Sequence, residues 1–218
     1  MKLINYFLAR LSITVSVLFL MFQPQAYGNE ILVFTETFID PPLPIVAVSI
    51  IMTSGDIIED DIPGPFMGTR YEGTFEINAH LADGGVIATP LNRIMNPEYP
   101  KDPLIFMKDE WFLRFADFNG DGKLETNLGQ HGGSNGSFYR IIGFLPSGEA
   151  EELPFRDRPR GIFVADHEYS SGNIRVSASG ETCFDWYDNT RGIMIRECWK
   201  WDPGAKCFVM AGKEEADS

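Results

Sequence analysis

Phe75, Ile77, Ala79 and Leu81 alternate with Glu76, Asn78 and His80, and this period of two constrains the fold more than any other feature of the chain. Successive side chains of an extended strand point to opposite faces, so the alternation predicts a half-buried strand. Ala82-Asp83-Gly84-Gly85 then supplies a turn, and Val86-Ile87-Ala88-Thr89 returns as the partner strand. The same unit recurs around Leu145-Pro146-Ser147-Gly148-Glu149 and around Trp201-Asp202-Pro203-Gly204-Ala205. No stretch sustains a helical period. The expected class is all-β, built from antiparallel hairpins and meanders. Pro41-Pro42-Leu43-Pro44 interrupts the first strand region, Ile57 to Gly68 reads as an acidic, proline-bearing loop, and Pro90 to Pro103 reads as an irregular stretch with room for a short helical turn.

The strand pattern breaks at Asp117-Phe118-Asn119-Gly120-Asp121-Gly122-Lys123-Leu124-Glu125, where oxygen-bearing side chains surround glycines that permit a sharp turn. Calcium takes about six to eight oxygens, and a loop with ligands at its first, third, fifth, seventh and ninth residues wraps one face of the ion. Those places hold Asp117, Asn119, Asp121, the carbonyl of Lys123, and Glu125. An EF-hand also needs a bidentate Glu at the twelfth place, which is Leu128 here, and a helix on either side. Trp111 to Ala116 suits a strand instead, and Gly129 to Gly136 is too rich in glycine for a helix. The loop is therefore expected to hold one structural calcium, with further oxygens drawn from elsewhere in the fold or from water. Asn, Asp and Gly also build plain turns. A plain turn leaves unexplained the repulsion among Asp117, Asp121 and Glu125, with Lys123 the one cation of the loop.

Lys2 and Arg10 flank the start of an apolar run from Leu11 to Phe22, and Ala26-Tyr27-Gly28 is a small-x-small ending of the kind a signal peptidase accepts. Residues 1–28 are thus expected to be a signal peptide, cleaved near Gly28, that delivers the protein to the periplasm or the extracellular space. The run is shorter than the roughly twenty residues of a membrane helix, and no span is expected elsewhere. Removing 28 of 218 residues leaves 190, enough for one well-buried domain. It also takes the formal net charge from −13 to −15, because the leader carries two cations and no acid. So acidic a chain is not expected to bind nucleic acid.

Three cysteines in an oxidising compartment give one disulfide and one remainder. If Asn189-Thr190-Arg191-Gly192 is a hairpin loop closed by Asp188 opposite Ile193, Cys183 falls opposite Cys198 and Asp185 opposite Arg196, an opposite-charge pair that supports the register. Cys207 is the other candidate partner for Cys198, around the Asp202-Pro203-Gly204 turn. Centring that turn on Pro-Gly sets Cys198 against position 209 instead. Cys183–Cys198 is the expected bridge.

The hairpin from Ile77 to Thr89, the strand into Asp117-Phe118-Asn119-Gly120-Asp121-Gly122, the connection and strand from Gly132 to Phe144, and the closing Arg196-Glu197-Cys198-Trp199-Lys200-Trp201-Asp202 together resemble the secreted FG-GAP/VCBS-related proteins, in particular small bacterial exported members. The resemblance covers Tyr71 to Met210 and divides the chain into the leader 1–28, an unassigned segment 29–70 and a β domain 71–218. It implies a partial β-propeller-like arrangement around one DxNxDG calcium loop. Two departures stand out: Glu125 replaces the commoner Asp, and Thr126-Asn127-Leu128 is less apolar than the family's strand at that place. Some members block lysozymes by inserting an exposed loop into the enzyme cleft. The resemblance therefore implies a protein partner in the envelope, a lysozyme-like hydrolase, met by Ser134, Asn135, Ser137 and Tyr139. Read without it, Gly-Ser-Asn-Gly is a generic connection and Phe138-Tyr139 starts a strand.

The residues bear on two further function classes. His80, His131 and His167 are the only histidines, and none has helix-borne ligand spacing or a place beside a nucleophile elbow. Paired carboxylates such as Glu59-Asp60-Asp61 or Glu151-Glu152 are common in so acidic a chain and do not single out a glycosidase. An envelope hydrolase is thus the weakest reading, and a non-catalytic binding protein the expectation. A lectin-like module is the alternative, with Trp186, Trp199, Trp201 and Tyr187 as its aromatic platform, although alternation sets Trp199 and Trp201 on one face and most such pairs are core.

Overall fold

The computed structural model describes residues 30–38, 44–62, 68–108, 113–131, 137–164 and 174–216. Three antiparallel sheets follow one another along them. The first holds β1 (Ile31–Thr37), β2 (Ile45–Asp60), β3 (Gly68–Leu81), β4 (Val86–Pro90) and β5 (Leu104–Met107). The second holds β6 (Arg114–Ala116), β7 (Glu125–His131), β8 (Ser137–Phe144), β9 (Ala150–Leu153) and β10 (Ile162–Val164). The third holds β11 (Arg175–Val176), β12 (Thr182–Asp188), β13 (Ile193–Asp202) and β14 (Cys207–Glu215). None of these sheets closes into a barrel. The class expected from the alternation is the one observed.

The first two sheets repeat one plan. A three-strand meander, β1-β2-β3, has the outer edge of β3 covered by two short strands end to end, β5 on Arg70 to Gly73 and β4 on Glu76 to His80. In the same way β6-β7-β8 has the outer edge of β8 covered by β10 on Ser137 to Tyr139 and β9 on Ile141 to Phe144. Each edge strand leaves its sheet midway and returns. The first excursion begins at Pro90, which lacks an N–H, and runs through a single helical turn, α1 (Leu91–Met95). The gap it opens in the ladder is filled by one side chain. Asn92 Oδ1 accepts from Phe75 N at 2.8 Å, while Nδ2 donates to the carbonyls of Gly73 at 3.4 Å and Asp102 at 3.0 Å. Buried backbone groups must be paired, and Asn92 pairs those the missing strand would have met.

Sequence boundaries shift in three places. The loop expected from Ile57 to Gly68 is shorter, because β2 continues to Asp60 and Ile57 pairs with Tyr71. That end of the hairpin is mostly exposed, so no alternation marks it as strand. The division drawn near Tyr71 therefore falls inside one hairpin, and β1 and β2 share a sheet with β3. Finally, Thr126-Asn127-Leu128 belongs to a central strand, buried despite its polar residues. Across the β2–β3 hairpin, Gly55 faces Gly73, where a Cβ on Gly73 would stand 2.0 Å from the Ser54 carbonyl oxygen. Only glycine permits so close a crossing.

The second sheet is the middle layer. Ile142 and Phe144 of β8 pack with Val48, Ile50, Phe75 and Ile77 of the first sheet. Tyr139 and Ile141 pack with Phe184, Trp199 and Phe208 of the third. Burial on both faces explains why β8 reads as an apolar run rather than an alternation. The second excursion, 154–161, joins the layers again: Phe208 N donates to Pro154 O and Arg156 N to Phe208 O, each at 2.8 Å.

In the third sheet the expected register holds from Asp188 opposite Ile193 back to Cys183 opposite Cys198. The Cys183–Cys198 disulfide forms, and Arg196 meets Asp185 at 2.8 and 3.1 Å. Cys207 is a free, half-buried thiol. The neighbouring hairpin departs from expectation: Cys198 faces Gly212, because Asp202 pairs with Cys207 around a longer loop and a bulge follows Cys198.

Candidate metal centre

Ala116 closes β6 opposite Glu125, which opens β7, so the loop between them is pinned at both ends by the second sheet. Gly120 and Gly122 take left-handed backbone, with φ of 76° and 84°. That turn points the loop's amides inward. Asp117 Oδ1 accepts from the amides of Gly120 (2.8 Å) and Asp121 (3.0 Å), and its Oδ2 accepts from Gly122 (3.0 Å). Asn119 Oδ1 accepts from Asp121 N at 2.8 Å, and Asp121 Oδ1 from Lys123 N at 2.9 Å. Glu125 Oε2 accepts from the amides of Phe118 (2.8 Å) and Asn119 (3.3 Å). The backbone thereby aims the side-chain oxygens. One oxygen each from Asp117, Asp121 and Glu125 lies within 4.8 Å of the others.

The charge balance of this cluster is poor. Glu125 is 3% exposed. Burial pushes its carboxyl up to about 7; the Asn119 and Phe118 amides oppose this, and the charges of Asp121 and Asp117 push the same way. Lys123 offsets only part of the excess, pairing with Asp121 Oδ2 at 3.1 Å. An all-oxygen donor set with surplus negative charge suits a hard cation. Asp117, Asn119, Asp121 and Glu125 would hold it, with the carbonyl of Lys123. The loop also reaches the third sheet. Phe118 is buried in the second core cluster, and Thr182 Oγ1 of β12 donates to its carbonyl at 2.9 Å.

The residues expected to meet a partner divide into two groups. Ser134 and Asn135 lie outside the described residues. Ser137 and Tyr139 stand in β8, 3% and 2% exposed, and Tyr139 belongs to the core between the second and third sheets. The expectation that Tyr139 sits at an exposed loop edge is thus corrected: it pairs with Gly129 and Ile162 inside the sheet. The aromatic platform of the alternative reading does not form, and Trp199 and Trp201 face the core as their shared strand face predicts. Trp199 is buried, Trp186 and Trp201 pack against the core, and only Tyr187 among the four is exposed.

Other groupings were not legible in the sequence. Ser49 and His80 meet across β2 and β3 at 2.8 Å, yet Ser49 is buried, and burial lowers the pKa of His80. A covered hydroxyl has no approach for a substrate. Glu197 is buried beneath Arg158 (3.2 Å) and Lys213 (3.3 Å), which also lie over the rings of Trp199 and Trp186. Arg140, 4% exposed, bonds to Glu152 and to the carbonyls of Met95 (3.1 Å) and Pro159 (2.8 Å). Asp166, His167 and Glu168 lie outside the described residues. No protein-family model matches this chain, and no curated protein or solved structure does so either.

Proposed function

We propose that this is an exported, non-catalytic binding protein of the cell envelope whose fold is clipped by one calcium ion. The convergence of the Asp117, Asp121 and Glu125 oxygens within 4.8 Å carries the reading. Three like charges so close repel strongly unless a cation joins them, most of all where one is buried. The site's place, bonded through Phe118 to Thr182, suits a structural clip between the second and third sheets. Three consecutive sheets, the first two on one plan, support a partial propeller-like arrangement and with it the resemblance to FG-GAP/VCBS-related proteins.

The partner that this reading favours is a lysozyme-like hydrolase. With Ser137 and Tyr139 inside the fold, inhibition would fall to Ser134 and Asn135. A pulldown from an envelope extract, run with calcium and with chelator, tests the proposal. Calcium-dependent recovery of a wall hydrolase, with loss of its activity in the complex, supports it. Turnover of an envelope polymer by the purified protein alone would replace it with an enzyme.

A further inference from the structure

The two excursions from the edge strands meet over a cleft of about 360 Å3, within the range of small-ligand sites. It is lined by Gln130 and Phe138, cross-strand partners on β7 and β8. Asn96, Glu98 and Tyr99 of the first excursion and Arg160 of the second line it as well. Arg140 ties the two excursions together, because Met95 O and Pro159 O accept from the same buried guanidinium. The opening is therefore set before any ligand arrives, which lowers the ordering cost of binding.

The lining narrows the ligand by exclusion. Arg140 is paired with Glu152, so the surplus charges at the cleft are Glu98 and Arg160, each without an ion-pair partner among the described residues. They cancel. A strongly anionic ligand would meet Glu98 and a strongly cationic one Arg160. A wholly apolar ligand would strip water from both, and from the amides of Asn96 and Gln130, without replacing the lost bonds. The amides donate and accept, and Tyr99, 61% exposed, offers an open aromatic face beside the half-buried Phe138. An uncharged molecule with many hydroxyls and an apolar C–H face satisfies all of these groups.

We propose that the cleft binds a short segment of neutral saccharide, stacked on Tyr99 and hydrogen-bonded by Asn96, Gln130, Glu98 and Arg160. The inference rests on the reading of the chain as a binding protein, but not on its calcium. The cleft lies at the His131 end of β7, away from the metal loop at Glu125. It is also independent of Trp199, which lies in the core, and of Trp186 and Trp201, which pack against it.

Calorimetric titration of the intact protein with chitotetraose, cellotetraose, maltotetraose and tetragalacturonate tests it. At least one neutral tetrasaccharide should bind, and more tightly than tetragalacturonate. Tyr99→Ala and Gln130→Ala should each weaken that binding by about tenfold or more while the calcium-dependent melting shift stays as in the parent protein. Tyr99 is exposed, so its loss tests binding rather than folding. The proposal is overturned if no neutral tetrasaccharide binds at about 10 mM, if tetragalacturonate binds best, or if Tyr99→Ala leaves the affinity unchanged. Loss of the calcium shift with binding retained would refute the clip alone.

Discussion

A methyl group on Gly129 would lie 2.5 Å from Cε1 of Tyr139, a ring held in the core with nowhere to move. Gly129→Ala should therefore destabilise by about 1–3 kcal/mol, and Tyr139→Ala by about 3–5 kcal/mol, read from denaturant midpoints. Wild-type stability in Tyr139→Ala would return that ring to the surface. Glu125 supplies a pH test in calcium-free buffer. The buried carboxyl keeps its proton to about pH 7, whereas the unfolded chain releases it near 4.5. Between those values the folded state binds more protons, so stability should fall as pH rises through the window, by up to about 3 kcal/mol. Glu125→Gln should flatten the slope, and a parent protein whose urea midpoint is constant from pH 5 to 7.5 contradicts the burial. The sequence shows five candidate oxygen ligands in order, because their spacing is local. It does not show Glu125 turning inward, whereas Phe138-Tyr139 reads on its own residues as the start of a strand, as observed, and only the resemblance sets Tyr139 at a loop edge.

At the scale of the element, the β12–β13 hairpin is the piece best read in advance. One assumed closing pair fixes every later pair by the period of two, and a charge pair and a cysteine pair both fall into place. Cys183→Ser or Cys198→Ser should cost roughly 2–4 kcal/mol, measured against the parent in non-reducing melts. Equal melting of Cys183→Ser and parent would show the bridge to be dispensable. The next hairpin departs from the expected register for two physical reasons: its loop runs from Pro203 to Lys206, longer than a turn centred on Pro-Gly, and a bulge beside Cys198 adds a further residue that composition does not mark. The interrupted edge strands were equally hidden. Asn92 looks like a loop residue, and its role as a substitute strand depends on the gap between β4 and β5.

At the scale of the whole molecule, three sheets stack in chain order; apolar clusters fill the spaces between them, and a few buried polar groups bond across the same junctions. Arg140 links the first sheet's excursion to the second sheet, and the Phe118 carbonyl links the Asp117–Glu125 loop to Thr182 of the third. Long-range pairings of this kind leave no periodic trace, so the all-β class was legible while the layer order was not. If calcium clips the second and third sheets, it must bind the folded chain in preference to the unfolded one. Thermal melting with millimolar calcium and with chelator is the most direct test. At a concentration about 100 times the dissociation constant, the ion should add about 2.7 kcal/mol, a rise of roughly 5–10 °C for a chain of this size. Asp121→Ala, at an exposed candidate ligand, should abolish the rise and leave the chelated melt near that of the parent. Coincident melting curves for the parent protein in calcium and in chelator would contradict the account and reduce the loop to a turn.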